Sequence, residues 1–227
     1  MFQSIQANLD LFGAAPECPR SELLSPGAWL LRAFALGPAP HLVADVERIA
    51  SQAPFRHMET KGGFRMSVAM TNCGMRGWCS DRRGYRYEPL DGLTARPWPA
   101  MPDSFLELAR SAAEAAGFQH FVPDACLVNR YQVGARMSLH QDKDECDFSA
   151  PIVSISLGLP AVFLWGGDAR AERPQRVTLQ HGDAVVWGGP ARLRHHGVLP
   201  LKPGLHPLLG AQRLNLTFRR AGSCGAG

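Results

Sequence analysis

The chain reads as an α+β protein, and three observations say so. Two stretches in the first half have the spacing of amphipathic helices. From Ala125 onward, strand-like runs follow one another with glycine-rich turns between them. The apolar fraction is 45% over 227 residues, enough for one large domain or a core with an appended layer.

The elements follow in order. Residues 1 to about 20 show no clear period and contain Gly13, Pro16 and Pro19, which predicts a loosely held arm. Gly27 to Ala35 has a strand pattern. Ala39 to Gln52 places Leu42, Val43, Val46, Ile49 and Ala50 on one side of a helix, with Pro38 and Pro40 at its entry. Residues 55–100 are rich in Gly, Pro and Arg, with short strand-like pieces such as Met66 to Met70. Pro102 to Ala116 is a second helix, with Asp103 or Ser104 placed to assist its start and Gly117 to stop it. Strands are then expected at Cys126–Tyr131, Ile152–Leu157, Ala161–Trp165, Arg176–Gln180, Ala184–Trp187, Leu193–Val198 and Arg213–Arg219. The strand-rich half is long enough for a double-sheet jelly roll.

Composition excludes some classes. No run of 18 apolar residues offers a membrane span. Met1-Phe2-Gln3-Ser4 does not begin a secretory signal. Six scattered cysteines without a C-x-x-C pair argue against a zinc site and for a reducing interior, hence a cytoplasmic protein. The net charge of +4 says little by itself, but its distribution says more. Between Arg56 and Glu88, seven basic residues face three acidic ones, interleaved with Trp78, Tyr85 and Tyr87. Cations that meet phosphate and rings that stack on bases suit a nucleic-acid surface. A solvated loop with packing aromatics has the same composition.

Two motifs carry chemistry. His140-Gln141-Asp142 sets two metal-ligand types two residues apart, and a His195-His196 pair follows far downstream. Two histidines and one carboxylate on one face of an iron form the facial triad of non-haem Fe(II) oxygenases. Spacing does not choose between His195 and His196, although adjacent strand residues face opposite ways, so only one can ligate. The second motif is Gln212-Arg213-Leu214-Asn215-Leu216-Thr217-Phe218-Arg219. Period-two alternation turns Arg213, Asn215, Thr217 and Arg219 to one face and the apolar residues to the other. Two inward guanidinium groups need anionic partners, and a small dicarboxylate satisfies both. An iron triad beside a dicarboxylate site suggests Fe(II) with 2-oxoglutarate and O2.

With these stretches in view, the sequence resembles the AlkB family of Fe(II)/2-oxoglutarate-dependent alkylation-repair dioxygenases. The matching segments are Met66–Gly74, Pro123–Tyr131, Ser138–Glu145, Pro151–Pro160, His181-Gly182-Asp183 leading to Val186–Gly189, His196-Gly197 and Arg213–Arg219. The resemblance implies a double-stranded β-helix (jelly roll) dioxygenase core at residues 121–220. It implies an N-terminal extension with helices and a nucleotide-recognition lid at 21–120, a flexible arm at 1–20 and a flexible tail at 221–227. It selects His196, which directly precedes Gly197 and Val198, as the third iron ligand with His140 and Asp142, and leaves His195 pointing away.

The resemblance also assigns Arg213 and Arg219 to the two carboxylates of 2-oxoglutarate, with Asn215, Asn129 and Tyr131 as further contacts. Trp78 is the expected stacking partner of an extruded base, with the His140 ring on the other face. Tyr85, Tyr87 and Arg170 are expected substrate contacts. Asp144 faces the same cavity if the extended run continues past Asp142, where a carboxylate favours a cationic base bearing an exocyclic amino group. N1-methyladenine and N3-methylcytosine are such bases. Phe64 stands where a Tyr is found in a family relative. The activity implied is oxidative demethylation of alkylated bases with formaldehyde release, by a monomer acting on single- or double-stranded DNA, with RNA open as well. Alternatives are a dioxygenase directed at tRNA or protein, and a non-catalytic damage-binding module.

Overall fold

Antiparallel pairing of fourteen strands organises the described part of the chain, residues 20–222 of the computed structural model. The expected arm, except Arg20, and the expected tail from residue 223 lie outside the described residues. The elements are β1 (Arg20–Ser25), β2 (Ala28–Arg32), α1 (Ala39–Gln52), β3 (Arg56–Glu59), β4 (Arg65–Gly74), β5 (Gly77–Asp81), β6 (Gly84–Glu88) and α2 (Asp103–Ala115). There follow β7 (Ala125–Gln132), β8 (Met137–His140), β9 (Ile152–Gly158), β10 (Ala161–Trp165), β11 (Gln175–Leu179), β12 (Ala184–Trp187), β13 (His196–Val198) and β14 (Gln212–Arg219).

The large sheet has the order β1-β2-β12-β9-β14-β7-β4-β3, and the small one β11-β10-β13-β8; β5 and β6 form a separate hairpin. The large sheet draws strands from both sides of residue 121. Period-two alternation gives it two different faces. One face sends Val153, Ile155, Leu157, Leu214, Leu216 and Phe218 into a core with Leu42, Val46 and Ile49 of α1 and Phe105, Leu108 and Ala112 of α2. Full burial of each such large apolar side chain contributes about 1.5–3 kcal/mol. The other face sends Leu127, Tyr131, Ile152 and Trp187 toward Phe163, Trp165 and Val198 of the small sheet. This is the jelly-roll arrangement, with both helices outside the sheet pair.

Most elements lie where the pattern placed them. α1 matches its expected bounds. α2 starts after Pro102 without a side-chain cap. Ser104 bonds to the buried Asp45 instead. Gly117 ends α2 at φ +86°, with its own N–H bonded to Glu114 and that of Phe118 to Ala113, a C-cap that favours glycine. Three features depart from expectation. β1 is an unforeseen strand that covers β2. The piece seen at Met66–Met70 is part of a ten-residue strand, β4, paired along β7. The run from Leu193 shortens to His196–Val198, because Gly189–Ala191 forms a 3-10 turn ahead of it. Cys73, Cys79 and Cys126 are free thiols among the described residues.

Candidate metal and cosubstrate site

The site begins with a register. β13 pairs antiparallel with β8, and His196 lies directly opposite His140. Directly opposed residues share a face, and the two rings stand 4.4 Å apart. The close approach depends on Gly197, where a Cβ would meet the Met137 carbonyl oxygen at 2.8 Å. β8 ends at His140, and the chain beyond it is tied down by the 190s: Gln141 Nε2 donates to the Leu193 carbonyl, and Arg192 Nη1 to the Asp142 carbonyl at 2.7 Å. Asp142 is thereby turned inward. Its Oδ1 lies 3.7 Å from His140 Nε2 and its Oδ2 3.8 Å from His196 Nε2. One ligand atom from each of the three residues falls within 4.8 Å of the others.

Both imidazoles are set for ligation. His140 Nδ1 is 2.8 Å from the Ser138 carbonyl and His196 Nδ1 3.1 Å from that of Arg194. A carbonyl only accepts, so Nδ1 carries a proton and leaves each Nε2 as the atom that faces Asp142. His196 is enclosed by the rings of Trp187 and Phe163. Burial, helped by the neighbouring His140, pushes its pKa down to about 3, which keeps it neutral. Burial works against the Asp142 carboxylate, but Arg219, His196 and His140 together hold its pKa well below the usual range. Two imidazoles and a carboxylate gathered on one side fit a facial Fe(II) triad. His195 is half-buried and also borders the cavity, but its Nδ1 lies 3.3 Å from the Gly167 carbonyl and it is not part of the three-residue cluster.

The polar face of β14 lines the same cavity, of about 760 Å³. Arg213 is 1% exposed; its Nη2 donates to Ser156 Oγ at 2.8 Å, while Nε and Nη1 have no hydrogen-bond partner among the described residues. Its guanidinium lies 4.9 Å from the Tyr131 ring centre. Burial lowers its pKa, with Tyr131 opposing. Buried, unpartnered guanidinium donors are costly and fit a carboxylate guest. Arg219 turns toward the metal ligand, with Nε and Nη2 donating to Asp142 Oδ2 at 3.0 and 2.6 Å. Asn129 Nδ2 donates to Asn215 Oδ1 at 3.3 Å and keeps an unpartnered Oδ1. Asn215 is already satisfied by Ser154, Ile155 and Thr217, so it frames the pocket more than it offers free donors.

The β5–β6 hairpin covers the mouth. Trp78, Tyr85, Asp144 and Arg170 all line the cavity, as does Phe64, which is 76% exposed. Trp78 stacks on Tyr85 at 5.5 Å, and its Nε1 donates to Asp144 Oδ2 at 2.8 Å. Asp144 reaches the cavity although no strand continues past His140. Tyr87 is a correction: it does not line the cavity, and its hydroxyl donates to Glu145 Oε1 at 2.6 Å. Its cross-strand partner is Trp78, at the root of the hairpin, whereas Tyr85 pairs with Ser80 nearer the tip. The basic segment is partly spent within the protein, since Arg86 and Arg83 pair with Asp81 and Arg56 with Asp91. Lys61, Arg65 and Arg76 have no carboxylate partner among the described residues.

Sequence reasoning missed three groups that hold this site. Asn72 brackets the Trp78 backbone, accepting from its N–H at 3.0 Å and donating to its carbonyl at 3.1 Å. Glu145 and Arg192 form a buried ion pair at 3.0 Å. All three lie off the motif faces, and only the fold brings their partners near.

A jelly roll with a His-Asp-His cluster and an arginine-lined cavity between its sheets defines a 2OG-Fe(II) oxygenase, and residues 27–219 match that superfamily. The chain is 59% identical over 213 residues to the alpha-ketoglutarate-dependent dioxygenase AlkB of Salmonella typhimurium, covering 94% of this chain and 98% of that one. It is 58% identical to the Escherichia coli AlkB at the same coverage, and 49% identical to the AlkB homolog of Caulobacter vibrioides over 79% of this chain and 80% of that one. The solved structure of OsALKBH1 superposes with a TM-score of 0.78 at 29% identity, over 88% of this chain and all of that one. The chain belongs to the AlkB family and is a dioxygenase that uses Fe(II), 2-oxoglutarate and O2. No helix among the described residues is long and apolar enough to cross a membrane.

Proposed function

We propose that this protein is an oxidative demethylase of N-alkylated bases, such as N1-methyladenine and N3-methylcytosine, in DNA. The observation that carries the reading is the placement of Arg213, with two unpartnered buried donors, in one cavity with the His140-Asp142-His196 cluster and beneath Trp78. The name of its close relatives, and that of the mouse nucleic acid dioxygenase ALKBH1, 34% identical over 55% of this chain, agree with it.

His140, Asp142 and His196 would hold Fe(II), which with 2-oxoglutarate and O2 supplies the oxidising chemistry: one oxygen atom reaches the methyl carbon, the other enters succinate, and CO2 leaves. The hydroxylated methyl group would depart as formaldehyde: its O–H proton is released, the electrons of the N–C bond stay on the ring nitrogen, and the cationic base becomes neutral. Every other part belongs to the chain. Arg213, over Tyr131, orients the cosubstrate through one carboxylate, and Arg219 sits beside Asp142 for the other. Asn129 and Asn215 frame the space between. A base paired in a duplex cannot enter a cavity this deep, so the substrate is single-stranded or flipped out. Trp78 offers an extruded base a ring held in place by Tyr85, Asp144 and Asn72. Asp144 presents a carboxylate that suits a cationic base with an exocyclic amino group. Arg170 and Phe64 stand at the rim. The protein works as a monomer in the cytoplasm.

The test is formaldehyde release, followed across methylated single- and double-stranded DNA, methylated RNA and a methylated peptide. Release from the DNA substrates is expected. Release from peptide alone would overturn the reading.

A further inference from the structure

Glu145 lies three residues beyond Asp142, buried and off the cavity wall. Its two oxygens do different things. Oε2 accepts from Arg192 Nη2 at 3.0 Å, and Arg192 in turn donates to the carbonyls of Asp142 and Ala150 at 2.7 and 3.0 Å. That half of the network fixes the backbone between residues 142 and 150. Oε1 accepts from the Tyr87 hydroxyl at 2.6 Å and lies 3.4 Å from Arg219 Nε. It therefore joins the root of the β5–β6 hairpin to the arginine beside the metal cluster.

A buried carboxylate is costly to keep unless its partners compensate it fully. Here the charges balance: Asp142 and Glu145 stand against Arg192 and Arg219. An ion pair that served only to anchor the loop would need Arg192 and a single oxygen. The second oxygen is shared by two groups from different elements, Tyr87 of β6 and Arg219 of β14. Arg219 meets Asp142 through Nε and Nη2 together, so Nε is the atom at which Glu145 can bias the tilt of the guanidinium.

We propose that Glu145 is a positioning residue for Arg219, and that the Tyr87 hydroxyl makes the β5–β6 hairpin part of that positioning. The inference rests on the reading of Arg219 as a cosubstrate contact. It follows that 2-oxoglutarate binding and the order of the hairpin are linked through Glu145 Oε1. When the cosubstrate engages Arg219, the guanidinium fixes Oε1, and Oε1 holds Tyr87. When the hairpin is displaced, Arg219 loses one of the two carboxylates that orient it.

The experiment compares the full-length wild type with Glu145→Gln and Tyr87→Phe. The first measurement is anaerobic titration of 2-oxoglutarate into the Fe(II)-loaded proteins. The second is hydrogen exchange of the amides at 77–88, with and without 2-oxoglutarate. In the wild type, cosubstrate should raise protection of the hairpin. Glu145→Gln should bind 2-oxoglutarate about 10–100-fold more weakly, the usual cost of losing a group that orients a ligand contact, and should show no hairpin response at saturation. Tyr87→Phe should bind within a few-fold of wild type, since Arg219 keeps both carboxylates, and yet lose the hairpin response. That separation is one a merely structural role would not produce. Equal protection of the hairpin in all three proteins would overturn the proposal. If Glu145→Gln does not fold, Tyr87→Phe decides alone: a retained response sinks the idea and a lost one supports it. Failure of the wild type to bind 2-oxoglutarate at all would overturn the proposed function, and this inference with it.

Discussion

Arg219 Nη2 donates to Asp142 Oδ2 at 2.6 Å, so the arginine at the end of β14 touches the carboxylate of the metal cluster. Both groups are buried, and each supports the other's charge: Asp142 is held well below, and Arg219 above, its ordinary pKa. Burial opposes both charges, and the pair survives because the geometry is tight and Glu145 and the two histidines add to it. The contact gives Arg219 two jobs. On the proposed reading it presents a cation to a cosubstrate carboxylate, and it also holds Asp142 Oδ2, the oxygen nearer His196, while Oδ1 lies nearer His140. Arg213, six residues earlier on the same face, has only the first job.

The two arginines should therefore fail differently. Arg213→Ala is expected to weaken 2-oxoglutarate by about 2–5 kcal/mol, the scale for leaving one partner of a buried charged pair alone, with Fe(II) affinity intact. Arg219→Ala is expected to weaken both 2-oxoglutarate and Fe(II), because Asp142 loses its orienting partner. Anaerobic titrations of metal and of cosubstrate into each variant separate the cases. Equal Fe(II) affinity in the two variants would remove the second job from Arg219, and a loss confined to DNA binding would refute the cosubstrate assignment of both.

Of the adjacent histidines, His196 should be the ligand. His140→Ala, Asp142→Ala and His196→Ala are each expected to abolish turnover and Fe(II) binding, whereas His195→Ala should keep much of both. The reason is the register: His196 stands opposite His140, whereas His195 Nδ1 lies against the Gly167 carbonyl. Metal titration of the four variants tests it, and a dead His195→Ala beside an active His196→Ala would reverse the assignment.

What could be read from the sequence divides along a physical line. Periodicity is local, so α1, α2 and the two faces of β14 were legible from residues three and four, or two, apart. His140 and Asp142 were legible because their spacing is itself the motif. Contacts that depend on sheet order were not. β1 lies almost wholly beyond the expected arm and shows no strand pattern until β2 is seen to take an edge partner. Glu145 and Arg192 are ordinary charged residues until β14 and the turn after Ala191 enclose them. Asn72 has no visible task until the chain turns back at Gly74 and sets Trp78 against it. Tyr87 stands opposite Trp78 in the hairpin register, but its hydroxyl is taken by Glu145, a partner that no local pattern announces.

Acid should loosen the start of β14 through His181. Its Nδ1 accepts from the Gly158 N–H at 2.9 Å, and Gly158 is the register partner of Arg213. A protonated ring cannot accept there. Burial, with the neighbouring His206, lowers its pKa below 6.5 in the folded protein. The sign follows from proton counting: below pH 6.5 the unfolded chain takes up a proton that the folded one refuses, so stability present above that pH is lost as pH falls toward the folded value. His181 is partly exposed, so the slope should stay below the limit of about 1.4 kcal/mol per pH unit for one proton. His181→Gln should flatten the decline in stability between neutral and mildly acidic pH, measured by urea unfolding. An unchanged slope would show that the ring does not couple to folding.

Trp78 and the cations around the mouth should act through different terms of substrate binding. Trp78 stacks on Tyr85 and bonds to Asp144 while lining the cavity, so it is placed to stack on an extruded base. Trp78→Ala is expected to lose roughly 1–3 kcal/mol of methylated-DNA binding, the scale of one base–aromatic stack, at any salt concentration. Arg65 and Arg136 are exposed on the cavity rim. Among the described residues, neither has a carboxylate partner. Replacing both by Ala should weaken binding uniformly across sequences and reduce the salt slope by about two, one for each phosphate left without its cation. Arg83 is a control. It is exposed but paired with Asp81 within its own turn, so Arg83→Ala should change less. Neither class of change should stop the slow consumption of 2-oxoglutarate without DNA, because the metal and cosubstrate residues lie on β7, β8, β13 and β14 and in the turn that follows β8. The measurement pairs succinate formation without DNA with methylated-DNA binding at two salt concentrations. If Trp78→Ala binds like wild type, or loses DNA-free turnover together with thermal stability, the ring is a packing group, and the hairpin is scaffold rather than a reader of the base.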